Sequence, residues 1–303
     1  MASEPSGPGN PPVLHLTPLD PRYPTRLRVL ARLPSALSTR GGPLEAACAV
    51  AVVGARKATD EARQFAGQLA AEIARAGAVV VSGGAFGIDE AAHRGALGAG
   101  GRTWVVAGTG SLHCFPPEHA ALFEEVASGP GAMVWPFAPQ RRADATTFPA
   151  RNRVLVGLSD EVVVVQAGAR SGALHAAGIA RRLGRPLWVV PAPPWASGFE
   201  GSRQLLADGA RPLTSIDVLL RSVDAMVVAQ AASSMLLSPE ARSVMNALSH
   251  DPAHLDEIAS KSHVSIHEAS AALLTLALEN VVVEGPAGFF RRAEKAEPMK
   301  IAR

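Results

Sequence analysis

Between residues 46 and 220, short unbroken apolar runs recur along the chain. Each closes in a Gly-rich or polar turn and is followed by a stretch with helical spacing. Ala49-Val50-Ala51-Val52-Val53 ends in Gly54. Residues 78–81 end in Ser82-Gly83-Gly84, and residues 103–107 in Gly108-Thr109-Gly110. Apolar runs without polar alternation are the pattern of strands buried on both faces. Residues 62–76 and 88–97 are apolar at helical spacing and lie between those runs. The same alternation predicts a helix over 117–127, a strand over 132–134, a loop over 136–150 and a helix over 151–158. It then predicts strands over 161–165, 187–190 and 212–214, with helices over 172–183 and 202–208. Strands that alternate with helices form a doubly wound, mostly parallel α/β sheet of Rossmann-like type. Its ligands sit at the carboxyl ends of the strands.

Outside this block the pattern changes. Residues 1–12 are rich in Ser, Gly and Pro and read as a disordered tail rather than a signal peptide. Residues 13–44 read as a short helix with an extended lead-in, too small for a domain and attached to the α/β domain of 13–220. Residues 221–236 are rich in Ala, Ser and Val and read as a linker. Ser238-Pro239-Glu240 then starts a new helix, with Ser238 as cap and Pro239 at the first position. Helices at 255–259 and 265–279 follow. Two short strands around the turn at 285–288 close a winged helix of 237–293. Residues 294–303 are left as a tail.

Composition narrows the function classes. Of 303 residues, 48% are hydrophobic and 18% charged, which supports a large core. Net charge is only +2, so nucleic-acid binding has to come from local clustering. Aromatics at 5% are few for a platform that stacks many bases. Cys48 and Cys114 stand alone, without metal-ligand spacing, which predicts no metal site and a reducing, cytoplasmic setting. No apolar run approaches a membrane span.

Four turns carry candidate chemistry. Gly54-Ala55-Arg56-Lys57 can hold a phosphate on turn amides and two cations, or it is a tight turn with two solvated bases. Ser82-Gly83-Gly84-Ala85-Phe86-Gly87-Ile88-Asp89 allows close backbone approach to a ligand. There Asp89 and His93 share a helix face, as a functional pair or as a cap with a satisfied neighbour. Phe148-Pro149-Ala150-Arg151-Asn152-Arg153, with Arg141 and Arg142, places four arginines within 13 residues against one acid, Asp144. Arginine binds phosphate bidentately and stacks on bases, so this string is read as functional over a solvated loop. Arg170-Ser171-Gly172 opens a helix after a buried strand and is either a second phosphate cradle or another turn. No nucleophile motif, Walker string or paired carboxylate accompanies them, so catalysis has no named base.

Together these strings resemble the DprA/Smf family, the DNA-processing proteins of natural transformation. Val53-Gly54-Ala55-Arg56 is similar to its Val-Gly-Ser-Arg turn. Ser82 to Asp89 with Ala91-Ala92-His93 is similar to its Ser-Gly-Leu-Ala-Arg-Gly-Ile-Asp segment, and Phe115-Pro116-Pro117-Glu118 to its Tyr-Pro-Pro-Glu. Phe148 to Arg153 with Gly157-Leu158-Ser159 is the most specific piece, and Arg170-Ser171-Gly172-Ala173-Leu174 also fits. The resemblance implies a homodimer that binds single-stranded DNA in a basic pocket, protects incoming strands, loads RecA and needs no cofactor. By position, Gly54, Arg56, Lys57, Ser82, Gly83, Gly87, Phe148, Arg151, Asn152, Arg153, Arg170, Ser171 and Gly172 would form the DNA site. Phe86 stands where the family usually has Arg. Ala55, Gln166, Ala173, Ala176 and Ala192 replace its usual Ser, Glu, Ser, Thr and Gly, so the pocket is less polar than the family norm.

Two other readings compete. In a nucleotide-like small-molecule sensor, the winged helix would act as a regulatory DNA reader. In a LOG-like phosphoribohydrolase, a catalytic acid would follow the fourth turn, but residues 167–186 contain no Asp or Glu. The candidate recognition helix, 265–279, offers His267 and Glu268 but no Arg or Lys. That argues against duplex reading and for protein contact.

Overall fold

The structure is a computed structural model that describes residues 11–35, 37–236, 238–249, 251–278 and 281–293. The chain forms two compact units that divide between Val227 and Val228. The tails expected over 1–12 and 294–303 lie outside the described residues, apart from Pro11 and Pro12.

The first unit is built on one nine-stranded sheet. In chain order the elements are β1 (Leu14–Leu16), a 3-10 turn (Thr25–Val29), β2 (Leu37–Gly41), β3 (Ala49–Val53), α1 (Asp60–Arg75), β4 (Val79–Ser82), α2 (Ile88–Gly98) and β5 (Thr103–Val106). There follow α3 (Ala120–Ser128), β6 (Ala132–Trp135), α4 (Thr147–Leu158), β7 (Glu161–Val164), α5 (Ala173–Arg182), β8 (Leu187–Val189), α6 (Glu200–Ala207), β9 (Arg211–Pro212) and α7 (Ile216–Leu236), within which the division between the units falls. The strand order is β1-β2-β6-β5-β4-β3-β7-β8-β9. All pairings from β6 to β9 are parallel, while β1–β2 and β2–β6 are antiparallel. The chain runs outward from β3 through β4 and β5 to β6, then returns to place β7 on the other side of β3. This makes the β3–β7 edge the topological switch point, where such sheets leave a crevice.

Strand β3 shows why the apolar runs have no polar alternation. Ala49, Ala51 and Val53 face a core shared with α4, α5 and the lead-in, where Leu27, Leu155 and Leu158 are buried. Val50 and Val52 face a second core with α1, α2 and the start of α7, including Leu69, Ile73 and Ile88. Both faces are dry, so both parities must be apolar.

Three expectations change. Among the described residues the short helix of the lead-in is a 3-10 turn, Thr25–Val29, held short by flanking prolines, and β1 and β2 extend the sheet with antiparallel strands. The loop expected over 136–150 ends early, because α4 begins at Thr147. Asp144 Oδ1 accepts the N–H groups of Thr146 (2.7 Å) and Thr147 (3.0 Å), and Pro149 falls in the first turn, where a helix has no use for its missing N–H. Residues 221–236, expected as a linker, belong to α7. No Gly or Pro interrupts 216–236, Val223 is buried, and the Ser222 hydroxyl donates to buried Glu161, which also accepts from Trp188 Nε1 at 2.7 Å.

The second unit contains α8 (Pro239–Ala247), β10 (Ala253–His254), α9 (Leu255–Ser262), α10 (Ile266–Leu278), β11 (Val282–Glu284) and β12 (Phe289–Arg292). Its sheet is antiparallel, in the order β10-β12-β11. Ser238 Oγ caps α8 by accepting from Ala241 N–H at 3.1 Å. Val244, Ile258, Leu273 and Leu276 form its core. Helix α10 leaves Ile266 (55%) and Leu274 (64%) exposed. Among the described residues, no helix is long and apolar enough to cross a membrane.

Candidate nucleic-acid interface

At the switch point a cavity of about 480 Å³ opens between the β3–α1 and β7–α5 turns and the start of α4. The first turn contributes Gly54, Arg56 and Lys57, and the second Arg170, Ser171 and Gly172. Helix α4 contributes Phe148, Arg151 and Asn152.

The cations divide into two sets. Arg56, Lys57 and Arg170 are exposed and form no ion pair with any described residue. The Arg56 guanidinium lies 4.4 Å from the centre of the Phe148 ring, which fixes its direction without neutralising it. The arginine-rich string is used differently. Arg141 pairs with Asp144. Arg153 faces away from the cavity and donates to the Arg32 carbonyl at 2.9 Å. Arg151 is only 4% exposed and donates from Nη1 to the Val106 carbonyl at 2.7 Å. Burial pulls its guanidinium down to about 10, with the Asp89 carboxylate opposing that shift and Arg56 adding to it.

Gly83 explains how an arginine can lie there. A Cβ on Gly83 would stand 1.6 Å from Arg151 Nη1, so the guanidinium occupies the space of the absent side chain. Gly87 has φ +81°, and its missing Cβ would stand 2.4 Å from the Ala55 carbonyl oxygen. The β4–α2 turn therefore packs directly on the β3–α1 turn. Gly54 lines the cavity against Ile88, whereas Gly172 has open space where a Cβ would be. Ser82 is fully buried and donates to the Val52 carbonyl at 2.6 Å, so it ties β4 to β3 beneath the cavity.

The Asp89 and His93 side chains take separate partners. Asp89 is 7% exposed and lines the cavity, accepting from Ala85 N–H at 3.4 Å. Burial pushes its carboxyl up, and Arg151 opposes that shift. His93 is fully buried with Nδ1 2.7 Å from Thr103 Oγ1. Thr103 Oγ1 donates to the Val80 carbonyl, so it accepts from His93 Nδ1–H, and the proton is assigned to that nitrogen. Burial first, then the cationic surroundings of Arg151 and His119, pull His93 down to about 3.

The role of Gln166 went unseen in the sequence. Of the turn expected to cradle phosphate after β3, Ala55 N–H is engaged internally, donating to the Gln166 carbonyl (2.8 Å), and beyond the turn Thr59 N–H donates to Gln166 Oε1 (2.9 Å). Gln166 Nε2 reaches the Gly198 carbonyl at 3.4 Å, so one buried amide joins three loops around the cavity. A Glu there would lack that donor. The cavity also holds a carboxyl, Asp89, which comes from the first turn of α2 and not from the segment 167–186. Phe86 is 41% exposed and packs edge-on against His119. Asn152 Nδ2 donates to the Gly172 carbonyl at 3.3 Å, linking α4 to the second turn. Among the described residues, no group of three His, Cys, Asp or Glu is placed to hold a metal ion.

Residues 15–224 match the family model described as DNA recombination-mediator protein A. The chain belongs to the DprA/Smf family. Residues 228–288 match the DprA winged helix domain, which agrees with the helices and hairpin of the second unit. Protein Smf of Synechocystis is 28% identical over 320 residues, covering 91% of this chain and 79% of that protein. Protein Smf of Escherichia coli is 30% identical over 289 residues, covering 91% and 77%. The solved DNA processing protein A of Helicobacter pylori, whose single-stranded DNA binding mode was the subject of that structure, superposes with a TM-score of 0.63. It is 28% identical, and the match covers 69% of this chain and 95% of that one. Every residue lining the cavity falls within the part matched by the DprA/Smf family model.

Proposed function

We propose that this chain binds single-stranded DNA at the carboxyl edge of its sheet and acts as a cytoplasmic recombination mediator. It protects incoming strands as a homodimer and passes them to RecA. The observation that carries this reading is the set of cations unpaired among the described residues, Arg56, Lys57 and Arg170, around one cavity with Phe148 at its wall. Phosphates neutralise such cations and release counterions, while the aromatic wall accepts bases of any sequence. The protein works by binding, not by catalysis: the sequence carries no nucleophile motif beside the cavity.

The test is fluorescence anisotropy of a labelled oligothymidylate at two salt concentrations, with duplex as competitor. Strand preference and a steep salt slope are expected. Absence of strand binding at moderate salt overturns the reading and turns attention to nucleotide-sized ligands, read by thermal shift. RecA transfer is tested by following RecA filament assembly on the same strand with and without this protein. No acceleration would remove the mediator role while leaving strand binding intact.

A further inference from the structure

Trp195 is 85% exposed, while the other three tryptophans, Trp104, Trp135 and Trp188, are 0%, 7% and 8% exposed. A large apolar ring left in water at a rigid position is a recognition feature more often than an accident of packing. The position is rigid. Pro191, Pro193 and Pro194 restrict the loop after β8, and Ala196 N–H closes a turn on the Pro193 carbonyl at 3.0 Å, with Pro194 and Trp195 at its two central positions. Arg203 Nη1 donates to both the Pro193 (3.2 Å) and Ala196 (2.9 Å) carbonyls and clamps the base of that turn. The same loop ends at Gly198, which lines the cavity and is held by Gln166. Because β8 pairs in parallel with β7, the loop emerges at the cavity's edge of the sheet.

Exposed aromatics also stand on the other side. Phe86 (41%) follows β4, and Phe115 (42%) follows β5 and packs on Phe148 with ring centres 5.6 Å apart. From β5 to β8 is four strand spacings, about 19 Å at about 4.8 Å each. We propose that Trp195 is a base-stacking platform, and that the strand crosses the sheet edge from Phe115 and Phe86, over the cations of the cavity, to Trp195. This rests on the strand-binding reading and adds the direction of the path and the residue that receives a base outside the cavity. A ring pre-set by prolines loses little freedom on stacking, so the contact is efficient.

Trp195 dominates solvent-sensitive emission, which gives a direct readout. Oligothymidylate should quench intrinsic fluorescence in parallel with the anisotropy of a labelled strand. Trp195→Ala should abolish the quenching and weaken strand binding about tenfold. Trp195→Phe should recover most of that affinity while remaining unquenched. Binding seen by anisotropy with unchanged emission and with Trp195→Ala at wild-type affinity overturns the proposal and leaves the strand-binding reading standing. Loss of the dimer in sedimentation with Trp195→Ala, at unchanged strand affinity, assigns the ring to self-association and also overturns it. If anisotropy detects no strand binding at all, both readings fall together.

Discussion

Arg151 and Arg56 line the same cavity from different elements, and the fold treats them in opposite ways. Arg151 is buried to 4%, bonded to a strand carbonyl and faced by a buried carboxylate. Arg56 is exposed and braced by an aromatic ring, and like the exposed Lys57 and Arg170 it forms no ion pair with any described residue. The string with the most arginines therefore forms the cavity's floor and flank, and two sparser turns carry the charge a phosphate can reach. Charge density along a chain locates a basic region, but accessibility and pairing decide which of its members remain available to a ligand.

The comparison predicts that the two sets fail differently. Arg151→Ala should cost about 2–3 kcal/mol of stability, since it removes a charged donor from the buried Val106 carbonyl. Denaturant melts check this, and a loss under about 1 kcal/mol would mean that Arg151 is not a structural element. Gly83→Ala attacks the same floor from the other side. Its Cβ must displace the guanidinium, and about 2–3 kcal/mol of destabilisation is expected by the same measurement.

Arg56→Ala/Lys57→Ala should keep stability within about 0.5 kcal/mol of wild type. It should flatten the log–log salt slope of strand binding by about 1.4, two contacts at about 0.7 each. Arg153→Ala, whose charge lies off the cavity, is the control and should leave that slope unchanged. A slope flattened by Arg153→Ala and not by the double variant would reverse the assignment.

A pH-dependent effect concerns His93, which is fully buried. Its folded value, about 3, lies below the ordinary 6.5, so the unfolded chain takes up a proton first as pH falls. Its contribution is fully present above about pH 6.5 and is lost as pH falls toward 3, at up to about 1.4 kcal/mol per pH unit. Asp89, pushed up by burial, acts with the opposite sign, so a difference between proteins is the clean measurement. Between pH 7 and 5, wild type should lose up to about 2 kcal/mol more than His93→Gln. Equal losses would mean that folding leaves His93 as ready to take up a proton as it is in the unfolded chain.

Much of the fold was legible because it follows from local rhythm. The run 49–53 with its terminal Gly54 announces a doubly buried strand and a turn, and Ser238-Pro239 announces a helix start. The lead-in strands were not legible, since three-to-five-residue segments among prolines carry too little periodicity to separate strand from coil. Helix α7 was misread because a small-residue, low-charge composition suits a linker and a helix equally. Glu161, the residue that anchors Ser222 of α7, is 61 positions away.

By itself the sequence determined the alternation of strands and helices, the turns that had to lie at one edge of the sheet, and the family those turns belong to. Only the tertiary structure decided which cations remain available to a ligand. Arg151 meets its carbonyl 45 residues away on β5, and its space is supplied by a glycine on another strand–helix turn. Hydrogen-bond periodicity is local and can be read along a chain. Burial and charge pairing depend on elements distant in sequence that meet only when the sheet is assembled.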